Sequence, residues 1–559
     1  MRIITKNMLL LYMLSLIAII GACKRNIDGF VEDPSTSRAF IPANLKVRTV
    51  QDSAIVSWNL GALASGKKYT YKVEFATDTL FKNIEYTQTT DTLAVKLVDP
   101  VLTVNKTYFA RVRVEPFQSA AASRWVNTSS FRISGQQFLK IIRDFEITET
   151  SVKLHWQVNA ATTGINKIAL INGSVTTIID ITAAEAQAGE KNLNGLIPDT
   201  RYTVQLIADK KSKGLASFST LKTPVYTKTL SPSDNLESAI TSAADGEVIG
   251  LNPGLYTISS FLSIAGKGIT LRSITNNPAN TKIRFRELSL VGDSAGVNLI
   301  GLDIDGNYGG ASNSGAFLHL KGAGANGNAA AFKSIRVENC WIHNYTRALM
   351  LGNYGPSVSG STPNAHVLKN FNIINSKIYD INPTGIDSYY VLSLERLQVI
   401  NLNISKSTFY NLGCGLINLS WTLTGVELPI VTIDYCTFNN IGSQNKYLLV
   451  EAANRITFNL RNSILANSPL QGQTINNVAF KAGASSVLNF SNSNFFKLNT
   501  ASGGTKLSLT GLAQSSNYEI DLGWSGSTTD FSLVSLPPNS PLHKASTASN
   551  TVGDPRWAY

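Results

Sequence analysis

Few residues of this chain stand at spacings that do chemistry by themselves. The five histidines, His155, His319, His343, His366 and His543, are scattered along 559 residues, and none falls at a metal-ligand spacing from a cysteine or another histidine. No metal site is expected from the spacing. Hydrolysis of a glycosidic bond needs two carboxylates facing each other across it. Asp303 and Asp305 flank Ile304 and on a strand would share one face about 6.8 Å apart. Asp305-Gly306-Asn307 is also a strong turn signal, and the turn takes precedence, so a hydrolase is not expected. Proton abstraction beside a uronate carboxyl asks for less. It needs a Lys or Arg base and something to neutralise the carboxylate, calcium among the candidates.

That looser requirement directs attention to rows of outward side chains. Short strand-like segments recur: Phe317-Leu318-His319-Leu320-Lys321, Leu349-Met350-Leu351-Gly352, Ile386-Asp387-Ser388-Tyr389, Ile417-Asn418-Leu419-Ser420-Trp421, Leu448-Leu449-Val450-Glu451 and Val478-Ala479-Phe480-Lys481. With the apolar residues turned inward, one outward column reads His319, Met350, Asp387, Asn418, Leu449, Ala479. The other reads Lys321, Gly352, Tyr389, Ser420, Glu451, Lys481. A slip of one residue would invert a row. The face is polar, mixed in sign and partly aromatic, a composition suited to a sugar chain. Asp387, Tyr389, Asn418, Glu451, Lys321, Lys481 and His319 are therefore the expected polysaccharide contacts, with Arg347 and Arg396 flanking them. No complete catalytic set assembles, and no catalytic residue is assigned. Calcium stays open as a cofactor, although Asp387 and Glu451 would stand too far apart to share one ion.

Such rows need a stack of coils to hold them. An element with two apolar positions, a small residue and a final apolar residue recurs through residues 337–495. Its final residues are Ile342, Ile378, Phe409, Phe438, Ile464 and Phe495, spaced 36, 31, 29, 26 and 31 apart. Irregular periods near 30, with Asn, Asp and Gly at the turns, read as a parallel β-solenoid with loops inserted at a corner. Cys340 and Cys436 take the same small-residue position three rungs apart, about 14 Å by strand spacing, too far for a disulfide. Both, and Cys414, are expected as buried thiols. Upstream, Ser231-Pro232-Ser233-Asp234 reads as a helix start, with Leu236, Ala239 and Ile240 on one face. The capping helix, Gly246-Glu247-Val248-Ile249, Pro253-Gly254-Leu255-Tyr256 and Ile269-Thr270-Leu271 resemble the opening of pectin-lyase-like right-handed parallel β-helices.

The front of the chain reads differently. Ala54-Ile55-Val56-Ser57-Trp58 and Ser151-Val152-Lys153-Leu154-His155-Trp156 alternate and end in Trp. Leu102, Thr107 and Tyr108 follow the first, and Leu196, Pro198, Thr200 and Tyr202 follow the second. These segments resemble two fibronectin type III domains, the first without the motif's proline, and neither contains a cysteine. A stalk rather than a binding face is expected of them, because no exposed aromatic cluster is readable. At the start, Arg2 and Lys6 precede the apolar run Met8 to Ile20, too short to span a bilayer. The run ends Ile20-Gly21-Ala22-Cys23, which resembles a lipoprotein signal with Cys23 as the lipidated residue.

The expected fold class is all-β: two fibronectin type III-like β-sandwiches followed by a right-handed parallel β-helix. The expected division is 1–22 signal peptide, 23–40 lipidated tether, 41–134 and 135–226 sandwiches, 227–530 β-helix and 531–559 C-terminal cap. Taken together, these parts resemble a family of β-helix lipoproteins of Bacteroidetes found among polysaccharide-utilisation systems. That resemblance implies attachment to the cell envelope, at the outer membrane, and a polysaccharide as partner. The net charge of +12 is diffuse, whereas a nucleic-acid footprint would be clustered, so no nucleic-acid partner is expected. The chain is expected to be a monomer.

Overall fold

The computed structural model describes residues 37–60, 66–310, 312–323, 329–352, 366–423 and 427–558. Cys23 and the signal segment lie outside them, as does nearly all of the loop at 353–366. Across the described residues the protein is all-β: two antiparallel sandwiches and then a long parallel β-helix.

In the first sandwich, Ala43–Val50, Ser53–Asn59 and Ala94–Val98 form one sheet. Tyr71–Ala76, Ile84–Thr90, Phe109–Val114 and Val126–Asn127 form the other. Alternation places Val56, Trp58, Val73, Phe75, Tyr108 and Val112 in the space between. The Trp58 and Tyr71 rings meet edge-on at 5.1 Å. The second sandwich repeats the plan, with Leu154, Trp156, Ile168, Tyr202 and Val204 in its core. In both, the motif tyrosine ends as a tyrosine corner. Tyr108 Oη accepts the N–H of Thr103 at 3.0 Å, and Tyr202 Oη accepts that of Ile197 at 3.0 Å. The first corner forms without the proline, because the hydrogen bond needs only the leucine-to-tyrosine spacing.

The β-helix opens on the helix Leu236–Ser242, with Leu236, Ala239 and Ile240 buried. Its N-cap is Asn235, which accepts the N–H of Ser238 at 2.9 Å, and Asp234 instead closes the turn before it on the N–H of Ser231. Coils then stack into three sheets. The first has twelve strands, from Lys228–Leu230 to Ala513–Ser515. The second and third are joined through one long strand, Thr281–Val291. Its first half pairs with Asp303–Asp305 and its second with Ala316–Lys321.

Between the first and second sheets each coil turns sharply on one left-handed residue. They include Asn339, Asn375, Lys406, Tyr435, Asn462 and Asn492, with φ from 49° to 53°. Asparagine tolerates that region because its short amide bonds locally. Immediately after the turn come Cys340, Ser376, Ser407, Cys436, Ser463 and Ser493, all buried. Each side chain faces the carbonyl two residues back, as in Ser376 Oγ to Ile374 O at 2.8 Å and Cys340 Sγ to Glu338 O at 3.3 Å. Each serine also takes an N–H from the preceding coil, as Ser376 does from Cys340 at 3.1 Å. The thiols are thus core members of a small-residue ladder. Burial pushes Cys340 up to about 12 and Cys414 to about 11.

The next inward position runs Ile342, Ile378, Phe409, Phe438, Leu465, Phe495. Leu465 corrects the expected Ile464. Ile464 points outward and is nevertheless buried, because Trp524, Phe531, Leu542 and Val552 cover it. Residues 516–558 therefore do more than cap the last coil. They run back along the outer face of the second sheet as far as Thr408, whose hydroxyl donates to the buried Asp554 at 2.7 Å and accepts Trp557 Nε1–H at 2.7 Å.

Candidate functional site on the third sheet

The register of the third sheet aligns His319, Leu351, Ser393, Asn418, Glu451 and Lys481 in one outward column. His319 and Asn418 from one expected column and Glu451 and Lys481 from the other therefore fall in the same column, while Lys321 stands two residues beyond His319. Met350, Leu449 and Ala479, expected outward, point into the core at 0%, 2% and 0% exposure. Pairs of consecutive apolar residues, Leu449-Val450 and Ala479-Phe480, leave alternation unable to choose the inward member.

Asp387 and Tyr389 also need correction. The strand of their coil is Leu392–Ser393, so both lie in the loop before it. Asp387 pairs with Arg347 Nε at 3.2 Å and accepts the N–H of Tyr389 at 3.1 Å. Tyr389 packs on Ala316, Ala348 and Leu351. The two residues therefore flank the column instead of standing in it. At the column's start, Glu287 Oε1 lies 3.3 Å from His319 Nδ1 and 3.4 Å from Lys321 Nζ. Burial, with the Lys321 and Arg347 charges nearby, pushes His319 down to about 4.

The centre of the face is a group that alternation alone did not assemble. Asn418 Nδ2 donates to Glu395 Oε1 at 3.0 Å. Burial, with Glu451 adding like charge, holds the Glu395 carboxyl above the ordinary carboxylate range. Its other oxygen is enclosed with no hydrogen-bond partner among the described residues. Glu451 Oε2 accepts the buried Tyr390 hydroxyl at 2.9 Å, and Oε1 lies 3.5 Å from Lys481 Nζ. Tyr390 Oη in turn accepts the N–H of Tyr447 at 3.1 Å. Gly415 makes room for this: a Cβ there would come within 2.3 Å of the Tyr390 ring. Beside Asn418, the Trp421 ring is 38% exposed and carries the Arg396 guanidinium at 4.1 Å. Glu395 and Tyr390 lay outside the strand-like segments, so period-two reading passed over them.

Asp303 and Asp305 do share a strand face, and Asp305 also makes the turn. His343 Nε2 is 2.8 Å from Asp303 Oδ1, and Lys282 Nζ lies 3.4 and 3.0 Å from the two carboxylates. Asp305 accepts the N–H of Asn307 at 3.0 Å. The His343 ring stacks on Tyr379 at 4.6 Å, and Tyr379 on Tyr410 at 4.9 Å. The acids are buried and neutralised within the cluster, which binds successive coils of the second sheet together. Among the described residues no group of three or more His, Cys, Asp or Glu side chains is arranged to hold a metal ion.

No protein-family model matches the chain, and no curated protein matches it. Solved structures do match. The FN1-FN3 domains of chicken CNTN1 are 13% identical over 34% of this chain and 69% of that one, with a TM-score of 0.16. A two-domain fibronectin type III segment from chicken tenascin is 13% identical over 32% of this chain and 98% of that one, with a TM-score of 0.17. Both likenesses concern about a third of the chain. The sandwich assignment stands on the strand pairings and the two tyrosine corners.

Proposed function

We propose that the protein binds polysaccharide along the outer face of the third sheet, held at the cell envelope by a lipid on Cys23. One observation carries the reading. Asn418, Glu451 and Lys481 stand on consecutive rungs, with Glu395 bonded to Asn418 and exposed Trp421 beside them. Rungs lie about 4.8 Å apart, so two steps span about 10 Å, near the length of two sugar units. Amide, carboxylates and ammonium offer both donors and acceptors to hydroxyls, and the indole offers an apolar surface with a polar handle. The fibronectin-like pair names no ligand and serves as a stalk. In a glycan screen of the full chain, the best polysaccharide should bind at least tenfold more weakly to Glu451→Ala and to Trp421→Ala. Undiminished binding by the double variant would remove the site from this face. Radiolabelled fatty acid should enter the wild type and not Cys23→Ser.

A second reading is favoured by the raised Glu395 carboxyl. A carboxyl raised by burial near a second carboxylate is the kind of pairing that can divide proton donor from base in glycosidic cleavage. In that reading Glu395 donates a proton to the leaving oxygen as its bond to the anomeric carbon breaks, while Glu451 takes a proton from the water that forms the new bond to that carbon. Glu395→Gln would then abolish turnover of the bound polysaccharide while keeping its binding. Equal turnover by this variant would leave binding alone.

A further inference from the structure

A cavity of about 250 Å³ lies where the second sandwich, the coil turns and the C-terminal segment meet. The sandwich supplies Ile141 and Phe145, the turns supply Asn375, Lys406 and Tyr435, and the C-terminal segment supplies Thr551 among others. Its frame is fixed from both sides. Arg143 is held by Glu146 and reaches across to the carbonyl of Arg556 at 3.1 Å. Arg556 donates to the carbonyl of Asn375 at 2.6 Å. Phe145 lies between the two guanidinium groups, at 5.0 and 5.1 Å.

The turn residues help to shape this cavity. Of the left-handed turn residues, Asn375, Lys406 and Tyr435 line it, and the last two are not asparagine. Lysine and tyrosine are strained in that region, and such strain persists where the surroundings impose it and gathers at ligand sites. Here it delivers one cation and one ring to one space. Tyr435 is anchored by its hydroxyl to Asn550 Oδ1 at 2.9 Å. Lys406 pairs with Asp144 at the mouth, and both are about 40% exposed or more. An exposed pair of this kind is worth little by itself, so a ligand can part it at small cost. The wall of Ile141 and Phe145 is apolar, and Ile141 remains exposed. The volume falls below the roughly 300–1,000 Å³ of sites for drug-sized ligands and suits one sugar ring.

We infer that this junction is a second carbohydrate site that takes a single neutral sugar unit. The apolar face of the ring rests on Ile141 and Phe145, and vicinal hydroxyls bridge Lys406 and Asp144. The inference shares only its ligand class with the third-sheet reading, and no residue is common to both. Its test titrates glucose, galactose, mannose and xylose separately into the full chain by calorimetry. At least one should bind the wild type and Glu451→Ala equally. That sugar should bind at least tenfold more weakly to Lys406→Asn and to Tyr435→Asn. Asparagine is the residue of four of these turns, Asn339, Asn375, Asn462 and Asn492, so both variants should fold, with melting temperatures near or above that of the wild type. Three results would overturn the inference: no binding of any of the four sugars to the wild type, binding unchanged in the Lys406→Asn, Tyr435→Asn double variant, or binding lost in Glu451→Ala. Loss of polysaccharide binding on the third sheet would leave these outcomes untouched.

Discussion

Single residues on the third-sheet face carry two roles that can be separated by where their partners lie. His319 is neutral when folded because it is buried beside Lys321 and Arg347, which push it to about 4 against about 6.5 when unfolded. Its contribution is complete above pH 6.5. It is lost as the pH falls from 6.5 towards 4, where the unfolded chain takes up a proton that the folded one refuses. About 3 kcal/mol is at stake over that interval. His319→Gln should flatten this part of the acid limb, read as urea midpoints at pH 7.5 and 4.5. An unchanged slope would mean that His319 is protonated when folded. Glu451 differs from the solvated side chain its outward position suggested. It accepts the hydroxyl of a buried tyrosine, so Glu451→Ala should cost about 1–2 kcal/mol, more than the roughly 0.5 kcal/mol of a surface change. Tyr390→Phe should recover most of that loss in the double variant, because it removes the stranded hydroxyl.

At the scale of the coil, repetition made the sequence readable wherever one residue type returns at one place. The small-residue ladder is such a place, and Cys340 and Cys436 were recognisable as its members from their neighbours. Each serine of the ladder donates to the carbonyl two residues back, and Cys436 Sγ faces the same carbonyl at 3.4 Å. Cys436→Ser should therefore stay within about 1 kcal/mol of the wild type, and native protein should resist alkylation at Cys340 and Cys436. Rapid native labelling of either would contradict the ladder. The turn asparagines are less forgiving. Asn462 is buried and left-handed, donates to Asp434 at 2.7 Å and accepts the N–H of Thr547 at 2.9 Å. Asn462→Ala should cost about 2–4 kcal/mol, combining backbone strain with lost buried hydrogen bonds. Legibility failed where the period breaks. Leu449-Val450 and Ala479-Phe480 present two inward candidates each, and Ile464 is apolar for a reason some 60–90 residues away, in the segment that covers it. Asp387 and Tyr389 imitate a strand because their loop happens to alternate, and only the pairing partners of Leu392 and Ser393 reveal the true rung.

The whole molecule is divided by its cores and joined by its polar groups. The sandwiches and the β-helix bury separate apolar clusters, and the ties between the second sandwich and the β-helix include Arg272 to Glu149 at 2.6 Å and the Lys406–Asp144 pair. Tyr226 belongs with the β-helix, since its ring closes over Gly250. A chain starting at residue 224 should therefore fold alone, strand-rich by circular dichroism and melting within about 5 °C of the full protein, because each side closes its own core. The opposite truncation should fare far worse. Removing residues 531–559 takes away Phe531, Leu533, Leu542 and Val552, which with Trp524 cover Ile464, Ala466 and Phe496. Each large apolar side chain returned to water costs about 1.5–3 kcal/mol. Asp554 and Trp557 leave too, unpartnering Thr408 and Thr437 inside the sheet face. What remains is a contiguous apolar patch of the kind that drives association. A chain ending at 530 should thus be recovered as aggregate, or melt at least 10 °C lower, whether or not the sandwiches are present. A soluble product that ends at 530 and melts with the full protein would show that the C-terminal segment decorates the β-helix without holding it.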